Sequence, residues 1–209
     1  MTQAAREAGR TLGIAYYRRM YPKIQRARQL VADGAIGRPV LAEINCHDWY
    51  TVEAGWGTWR FDPAMAGGGP LYDIASHRID ILNFLFGRPA RVAAQVSNAV
   101  HKTAVEDCAT LLIEYEQGTR GVVDVRWHSR VARDEFRIIG TEGEMELTPL
   151  SGPLVTWPGG SEELPCHANL HYPCVENFVN AVLDGAHLHS SGESAVWTDW
   201  VTEQALKNV

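Results

Sequence analysis

The sequence predicts a single α+β domain, in which an open, largely antiparallel sheet has helices on one face. Between residues 91 and 148, short alternating segments are separated by turn residues, as is typical of antiparallel strands. Segments in which apolar residues recur at helical spacing flank this region on both sides. No internal repeat and no clear linker divides the 209 residues into two domains.

The first part of the chain predicts two helices and two strands. Residues 2–9 form a short helix that Gly9 ends, and the aromatic-rich segment 12–18 is predicted as a strand. Apolar residues at helical spacing predict a helix over 21–33, before Gly34. Alternation over 38–47 predicts a strand with one strongly buried face.

The segment 67–87 predicts a helix of about four turns. Three glycines precede Pro70, which suits the first helical position, and Gly87 suits the left-handed residue after a helix. Consecutive glycines are most useful where something must approach the backbone closely.

Asp73, His77 and Asp80 lie opposite the apolar face of this helix. Asp73 and His77 are four residues apart and are therefore predicted neighbours. A carboxylate beside an imidazole can orient it and raise its basicity, which suits a general acid/base. The alternative is a solvated polar face with no catalytic role.

The β-rich region predicts strands at 91–100, 107–116, 119–128, 135–140 and 144–148. Gln117-Gly118 predicts a tight hairpin turn, and Thr141-Glu142-Gly143 predicts another. Residues 149–168 form a Pro/Gly-rich excursion, followed by predicted helices at 172–183 and 193–206.

The composition excludes several classes of function. Hydrophobic residues make up 45% and charged residues 21%, and the net charge of −6 gives no reason to expect nucleic acid or an anionic membrane as a partner. No apolar run reaches the length of a membrane span, and the N-terminus lacks the apolar core of a signal peptide, so we expect a cytoplasmic protein. The four cysteines are scattered and are expected to be free thiols.

The helix at 67–87 carries a recognisable pattern. Gly-Gly-Gly-x-Leu-x-Asp-x-Ala-x-His, followed three residues later by Asp, resembles the signature of the glucose–fructose oxidoreductase / inositol dehydrogenase / MocA family. Segments 13–22, 34–40 and 59–63 are similar to other parts of that family, in the same order. The resemblance implies the family's dihydrodipicolinate-reductase-like C-terminal domain. It also implies hydride transfer between a nicotinamide and a sugar, polyol or related secondary alcohol.

For individual residues, the resemblance implies that His77 takes or gives the hydroxyl proton of the substrate and that Asp73 orients the His77 ring. Arg18 and Arg60 are candidates to hold substrate hydroxyls or a carboxylate, and Tyr17 is a candidate to line the cleft. His171, which precedes the predicted helix at 172–183, is a further candidate to border the same cleft. Trp59 belongs to the aromatic-rich segment 48–69, which either covers a small polar ligand or packs over the sheet edge or a partner subunit.

The family's cofactor-binding elements are missing from this sequence. No Gly-x-Gly-x-x-Gly follows a strand, and no Glu-Lys-Pro occurs. We therefore expect residues 1–209 to be the substrate-binding and oligomerisation domain, with 1–11 left from the last helix of an absent N-terminal Rossmann domain. NAD or NADP, implied by the family, would bind to that absent domain. The open sheet is where subunits of the family pair, so a homo-oligomer is expected.

Two alternatives stay open beside this interpretation. One is a non-catalytic module that dimerises by itself or associates with a separate cofactor domain. The other is a zinc site formed by the cluster Cys166, His167, His171 and Cys174, whose spacing matches no common zinc motif, so that no metal is expected.

Overall fold

The computed structural model describes residues 1–51 and 58–207. Within these ranges the α-helices are α1 (Thr2–Glu7), α2 (Pro22–Ala32), α3 (Pro63–Ala66), α4 (Ser76–Phe86), α5 (Tyr172–Leu183) and α6 (Gly192–Leu206). Shorter turns are the 3₁₀ segments Tyr17–Met20 and Thr58–Phe61 and a π-helical turn over Leu71–Ala75. The strands are β1 (Pro39–Trp49), β2 (Pro89–Ser97), β3 (Cys108–Tyr115), β4 (Arg120–Arg126), β5 (His128–Gly140), β6 (Glu144–Glu146), β7 (Leu154–Trp157) and β8 (Gly160–Glu163).

The described strands form one open sheet in the order β2-β3-β4-β1-β5-β6-β7-β8. β1 pairs in parallel with β4, and the other neighbouring pairs are antiparallel. The predicted fold class, an open and largely antiparallel sheet with helices, is confirmed.

Local sequence explains where the main helices begin and end. Pro22 occupies the first turn of α2, and α4 ends at Gly87, whose φ of 80° favours glycine. Ser191 caps α6, because its side chain accepts a hydrogen bond from the backbone N–H of Ser194. The helices predicted over 21–33, 172–183 and 193–206 are confirmed.

The core lies between the sheet and helices α2, α4 and α6. Along β1, Ala42 and Ile44 are fully buried, whereas Glu43 and Asn45, which alternate with them, point to the open face of the sheet. Ile79 and Leu82 of α4 are also fully buried in this core. The period of two in the strands therefore separates a helix-covered face from an open, polar one.

The prediction of a strand over 12–18 is wrong. Gly13 makes only an isolated bridge with Ser191, and the chain then turns into the 3₁₀ segment Tyr17–Met20. This turn brings the Arg19 side chain inward, so a tertiary contact overrides the local strand pattern.

The excursion at 149–168 also holds more structure than its composition predicts. It contributes the edge strands β7 and β8, which pair with each other across the turn at Pro158-Gly159. Each strand has only four residues, so their alternation is too short to stand out beside the prolines and glycines.

A buried ion pair joins three separate parts of the chain. Arg19 Nε and Nη2 donate to the two carboxylate oxygens of Asp80 at 2.7 and 2.5 Å, and the side chains are only 4% and 1% exposed. Arg19 Nη1 also donates to the carbonyl of His189 and to Ser194 Oγ, both at 2.9 Å. The helical phase of Asp80 predicted a solvated position, and this prediction is wrong. Asp80 is buried because Arg19 supplies a buried partner for its carboxylate. Burial raises the pKa of Asp80 to about 6 against the opposing effect of Arg19.

Replacing Arg19 by Met should lower the free energy of unfolding by about 3 to 5 kcal/mol, because it leaves the Asp80 carboxylate buried without its partner. The double variant Arg19→Met/Asp80→Leu should recover most of this loss, since it removes both buried charges. Urea unfolding, monitored by circular dichroism, measures the free energies of unfolding of both variants. Arg91→Met, which removes an exposed arginine, is the control, and an equal loss in that variant would contradict the prediction.

Candidate active site

The glycines before the π-helical turn are required by the protein's own packing. A Cβ on Gly69 would lie 2.0 Å from the carbonyl oxygen of Glu106, and a Cβ on Gly68 would lie 2.3 Å from the ring of Tyr72. Glu106 Oε1 also accepts the backbone N–H of Leu71 at 3.0 Å. The close approach predicted from this run is thus made by Glu106 and Tyr72. The space is filled, so the run does not fit a cradle for the phosphates of a dinucleotide.

Aromatic rings from two other segments converge on His77. The ring centroids of Tyr16 and Tyr17 lie 5.6 and 5.3 Å from that of His77, and the ring of His171 lies 4.2 Å from that of Tyr17. His77 Nδ1 is buried and has no hydrogen-bond partner among the described residues. The 3₁₀ segment and the residue before α5 therefore enclose a ring nitrogen that is left free to bond.

The surroundings of His77 keep its imidazole neutral. Burial, followed by the charges of Arg18, Arg78 and His171, lowers the pKa of His77 to about 4. The lowered pKa contradicts the expectation that the Asp73 carboxylate raises the basicity of His77. At neutral pH the ring is therefore a hydrogen-bond donor at one nitrogen and an acceptor at the other.

Asp73 faces a different partner. Its Oδ2 lies 3.4 Å from Arg60 Nε, and the side chains are 38% and 31% exposed. The π-helical turn over Leu71–Ala75 changes the phase between Asp73 and His77 from that of a regular α-helix. Such turns occur often at functional sites. Among the described contacts, the Asp73 carboxylate pairs with Arg60 and makes no hydrogen bond or ion pair with His77.

The predicted substrate-binding residues fall into two groups. Tyr17, Arg18 and His171 lie with His77. Trp59 and Arg60 lie with Asp73: the Arg60 guanidinium carbon is 4.7 Å from the centroid of the Trp59 ring, and Arg60 Nη1 donates to the Tyr50 hydroxyl at 3.3 Å. Trp56, in the same aromatic-rich segment, lies outside the described residues.

Sequence reasoning missed Arg78. Its side chain is only 6% exposed, and its Nη2 donates to Cys46 Sγ at 3.2 Å and to Asp134 Oδ1 at 3.4 Å. Arg18, whose charge also acts on His77, donates from Nη1 to Tyr21 Oη at 3.4 Å and to Ser151 Oγ at 3.3 Å. A signal was available, because Arg78 follows His77 directly in a helix that is otherwise largely apolar.

The cluster considered for zinc is occupied by other contacts. The ring of His167 stacks on Tyr172, and that of His171 packs against Tyr17. Among the described residues, ligand atoms of Asp107, Cys108 and His128 lie within 4.8 Å of one another. However, both carboxylate oxygens of Asp107 already accept backbone N–H groups of residues 99–101.

The chain belongs to the GFO/IDH/MocA family, because the model of that family's C-terminal domain matches residues 24–146. The resemblance carried by the Gly-Gly-Gly to Asp80 pattern is thus confirmed. The described part of the chain has no helix long and apolar enough to span a membrane.

Two curated relatives are enzymes named for carbohydrate substrates. The chain is 29% identical to a 1,5-anhydro-D-fructose reductase of Ensifer adhaerens over 95% of its own length and 62% of that protein. It is 33% identical to a D-apiose dehydrogenase of Paraburkholderia graminis over 71% of its length and 40% of that protein. The chain therefore spans less than two thirds of either relative.

Solved structures confirm the fold. An oxidoreductase from Thermotoga maritima superposes with a TM-score of 0.87 at 21% identity, over 99% of this chain and 63% of that one. An aldose-aldose oxidoreductase from Caulobacter crescentus, solved with glycerol, gives a TM-score of 0.84 at 22% identity, over 99% and 65% of the two chains.

The His77 ring should titrate near pH 4, and Arg18→Met should raise this midpoint, because Arg18 is the foremost of the charges that oppose protonation. Ring-proton NMR of the folded protein measures the midpoint, with His77→Asn to assign the signal. The pKa of His77 in the unfolded chain is about 6.5, which is higher than in the folded protein, so the unfolded state binds the proton first as the pH falls. The stability that the neutral ring contributes should therefore be present above pH about 6.5 and lost as the pH falls toward 4. An unchanged midpoint in Arg18→Met, or an equal rise in Arg91→Met, would contradict this assignment.

Proposed function

We propose that this chain is the substrate-binding part of a nicotinamide-dependent oxidoreductase that acts on a sugar, polyol or related secondary alcohol, with His77 as general acid/base. The observation that carries the proposal is the half-buried His77 imidazole, which is neutral at pH 7, has a buried Nδ1 without a partner among the described residues and lies near Tyr17, Arg18 and Arg78. The carbohydrate names of the relatives support the class of substrate.

His77 would accept the hydroxyl proton as the alcohol becomes a carbonyl and return it in the reverse direction. Burial, together with the charges of Arg18 and Arg78, keeps the imidazole unprotonated before substrate binds, so that it is able to accept a proton. Tyr17 packs against the His77 ring and limits its orientation.

Asp73 is proposed as a positioning residue that acts through Arg60. Its carboxylate lies beside the Arg60 guanidinium, which packs against Trp59 and donates to Tyr50. Trp59 is 46% exposed and offers an apolar surface to one side of a sugar ring. Trp59 and Arg60 would therefore hold the part of the substrate farther from the reacting carbon.

NAD or NADP would be bound by a domain outside the described residues. Neighbours in the fold comparison include an oxidoreductase from Agrobacterium radiobacter solved with NAD⁺ and L-tartaric acid. The glycine run of this chain is filled by its own atoms, so we assign cofactor binding to residues outside that run. The cofactor supplies hydride acceptance and donation, while this chain binds and deprotonates the alcohol. A cytoplasmic location fits this use of a nicotinamide.

In a chimera that joins a nicotinamide-binding Rossmann domain of the family to this chain, His77→Asn should lower kcat about 100-fold or more, because the proton would lose its acceptor. KM should change far less, since the hydroxyl contacts persist. NADH formation over a panel of sugars and polyols measures both constants. His187→Asn, at an exposed histidine, is the matched control, and turnover of His77→Asn close to wild type would favour the non-catalytic module instead.

The open face of the sheet is proposed to pair two copies of the chain. Ala93, Leu112 and Val122 lie side by side across β2, β3 and β4, and Leu112 is 45% exposed. This apolar strip, on the three strands at one end of the sheet, is suited to contact between subunits.

Light scattering after gel filtration should therefore give a mass of about twice 23.2 kDa, and Leu112→Glu should shift the protein toward the monomer, because it places like charges in the contact. Val100→Glu, which changes an exposed valine outside the strands, should leave the mass unchanged. A wild-type protein that is monomeric at high concentration would contradict the pairing.

A further inference from the structure

Two guanidinium groups beside His77, one half-buried (Arg18) and one buried (Arg78), each have a buried donor without an acceptor among the described residues. Arg18 Nε and Arg78 Nε are both buried and make no hydrogen bond with any described residue, and His77 Nδ1 is in the same condition. The Arg78 side chain is 94% buried, as its exposure of 6% shows. Buried N–H groups are paired in the great majority of native structures, so several unpaired groups in one place indicate a missing ligand.

The charges around these donors do not balance. The charges of Arg18, Arg78 and His171 act together on His77. Burial raises the pKa values of Tyr16 and Tyr21, so that their hydroxyls stay neutral at pH 7. Asp134 is the carboxylate in contact with Arg78, and its other oxygen already accepts the backbone N–H of Ser151 at 3.0 Å. The remaining contact of Arg78 is the Cys46 thiol, whose pKa burial raises, so that it stays neutral.

Among the described contacts, Asp134 is the one carboxylate paired with Arg78, and Arg18 bonds only to hydroxyl groups, which leaves an excess positive charge where donors are unpaired. Asp73 does not neutralise this positive charge, since its carboxylate pairs with Arg60. Burial and the nearby Arg18 lower the pKa of Arg78, as expected when two like charges are crowded together. An anion is the ligand that would satisfy both the donors and the charge.

We infer that the substrate carries a carboxylate next to the reacting hydroxyl, and that Arg18 and Arg78 bind this carboxylate. The inference rests on the proposed function and narrows its substrate class to polyhydroxy acids, that is, sugar acids. The charges of Arg18 and Arg78 both act on the His77 ring and on each other, so an anion bound by the two arginines lies near the hydroxyl that gives up its proton. In a 2-hydroxy acid the carboxylate is bonded directly to the hydroxyl-bearing carbon, whereas a phosphate ester places additional bonds between them.

Titration calorimetry with this chain tests the inference through a matched pair of probes. D-gluconate and D-sorbitol share one polyhydroxy carbon chain and differ in a terminal carboxylate against a terminal alcohol. Gluconate should bind at least about tenfold more tightly than sorbitol, because charge-assisted hydrogen bonds to arginine add to the shared hydroxyl contacts. Equal affinity for the two probes would overturn the inference, and so would tighter binding of inorganic phosphate than of gluconate.

Variants assign the selectivity to the two arginines. Arg18→Met should weaken gluconate binding about tenfold and leave sorbitol binding nearly unchanged, whereas Arg91→Met should change neither. Arg78→Met should have the same effect where circular dichroism shows the fold intact, and Arg18→Met decides the matter if Arg78→Met does not fold. Undiminished gluconate binding in a folded Arg18→Met variant would overturn the assignment.

His77→Asn separates this inference from the proposed function. This variant should retain at least most of the preference for gluconate over sorbitol, because the arginines hold the anion. Retained selectivity supports the carboxylate site even if the chimera shows no hydride transfer. Loss of the preference in His77→Asn, with Arg18→Met unaffected, would overturn the carboxylate site while leaving a proton-transfer role for His77 intact.

Discussion

The buried ion pair between Arg19 and Asp80 is the contact on which the geometry of the site depends. Asp80 lies three residues after His77 in α4, and Arg19 follows Tyr17 and Arg18 directly in the 3₁₀ segment. Because the pair fixes one segment against the other, it brings Tyr17 and Arg18 to the His77 ring. Its additional bonds to His189 and Ser194 extend the same restraint to the start of α6. A buried ion pair often adds little net stability, so the main effect of this one is on position.

The two faces of the sheet serve different purposes. Along β1, Ala42, Ile44 and Cys46 point toward the helices, and Cys46 contacts Arg78 at the border of the site. Glu43, on the opposite face, instead pairs with Arg137 across the open surface. Alternation in a single strand thus supports the proposed substrate site on one side and the proposed subunit contact on the other.

Sequence reasoning identified the sheet and the helix of His77, because both depend on periodicity within a short stretch of chain. It did not identify the turn at Tyr17–Met20, since that turn is set by Arg19 reaching a carboxylate 61 residues away. Asp73 was expected beside His77 because a regular helix was assumed, whereas the turn that carries Asp73 is π-helical and its carboxylate pairs with Arg60. Arg78 was missed because a charged residue in a helix is ordinarily solvated, whereas here it is buried against Cys46 and Asp134.

The titration of His77 in the folded double variant Arg19→Met/Asp80→Leu tests the central claim most directly. Removal of both charges leaves no unpaired buried ion but releases the 3₁₀ segment from α4. If the pair holds Arg18 and Tyr17 against the imidazole, NMR should show the pKa of His77 rising from about 4 toward its usual value of about 6.5. A pKa that stays near 4 in the folded double variant would show that the site keeps its geometry without the pair and would contradict the account.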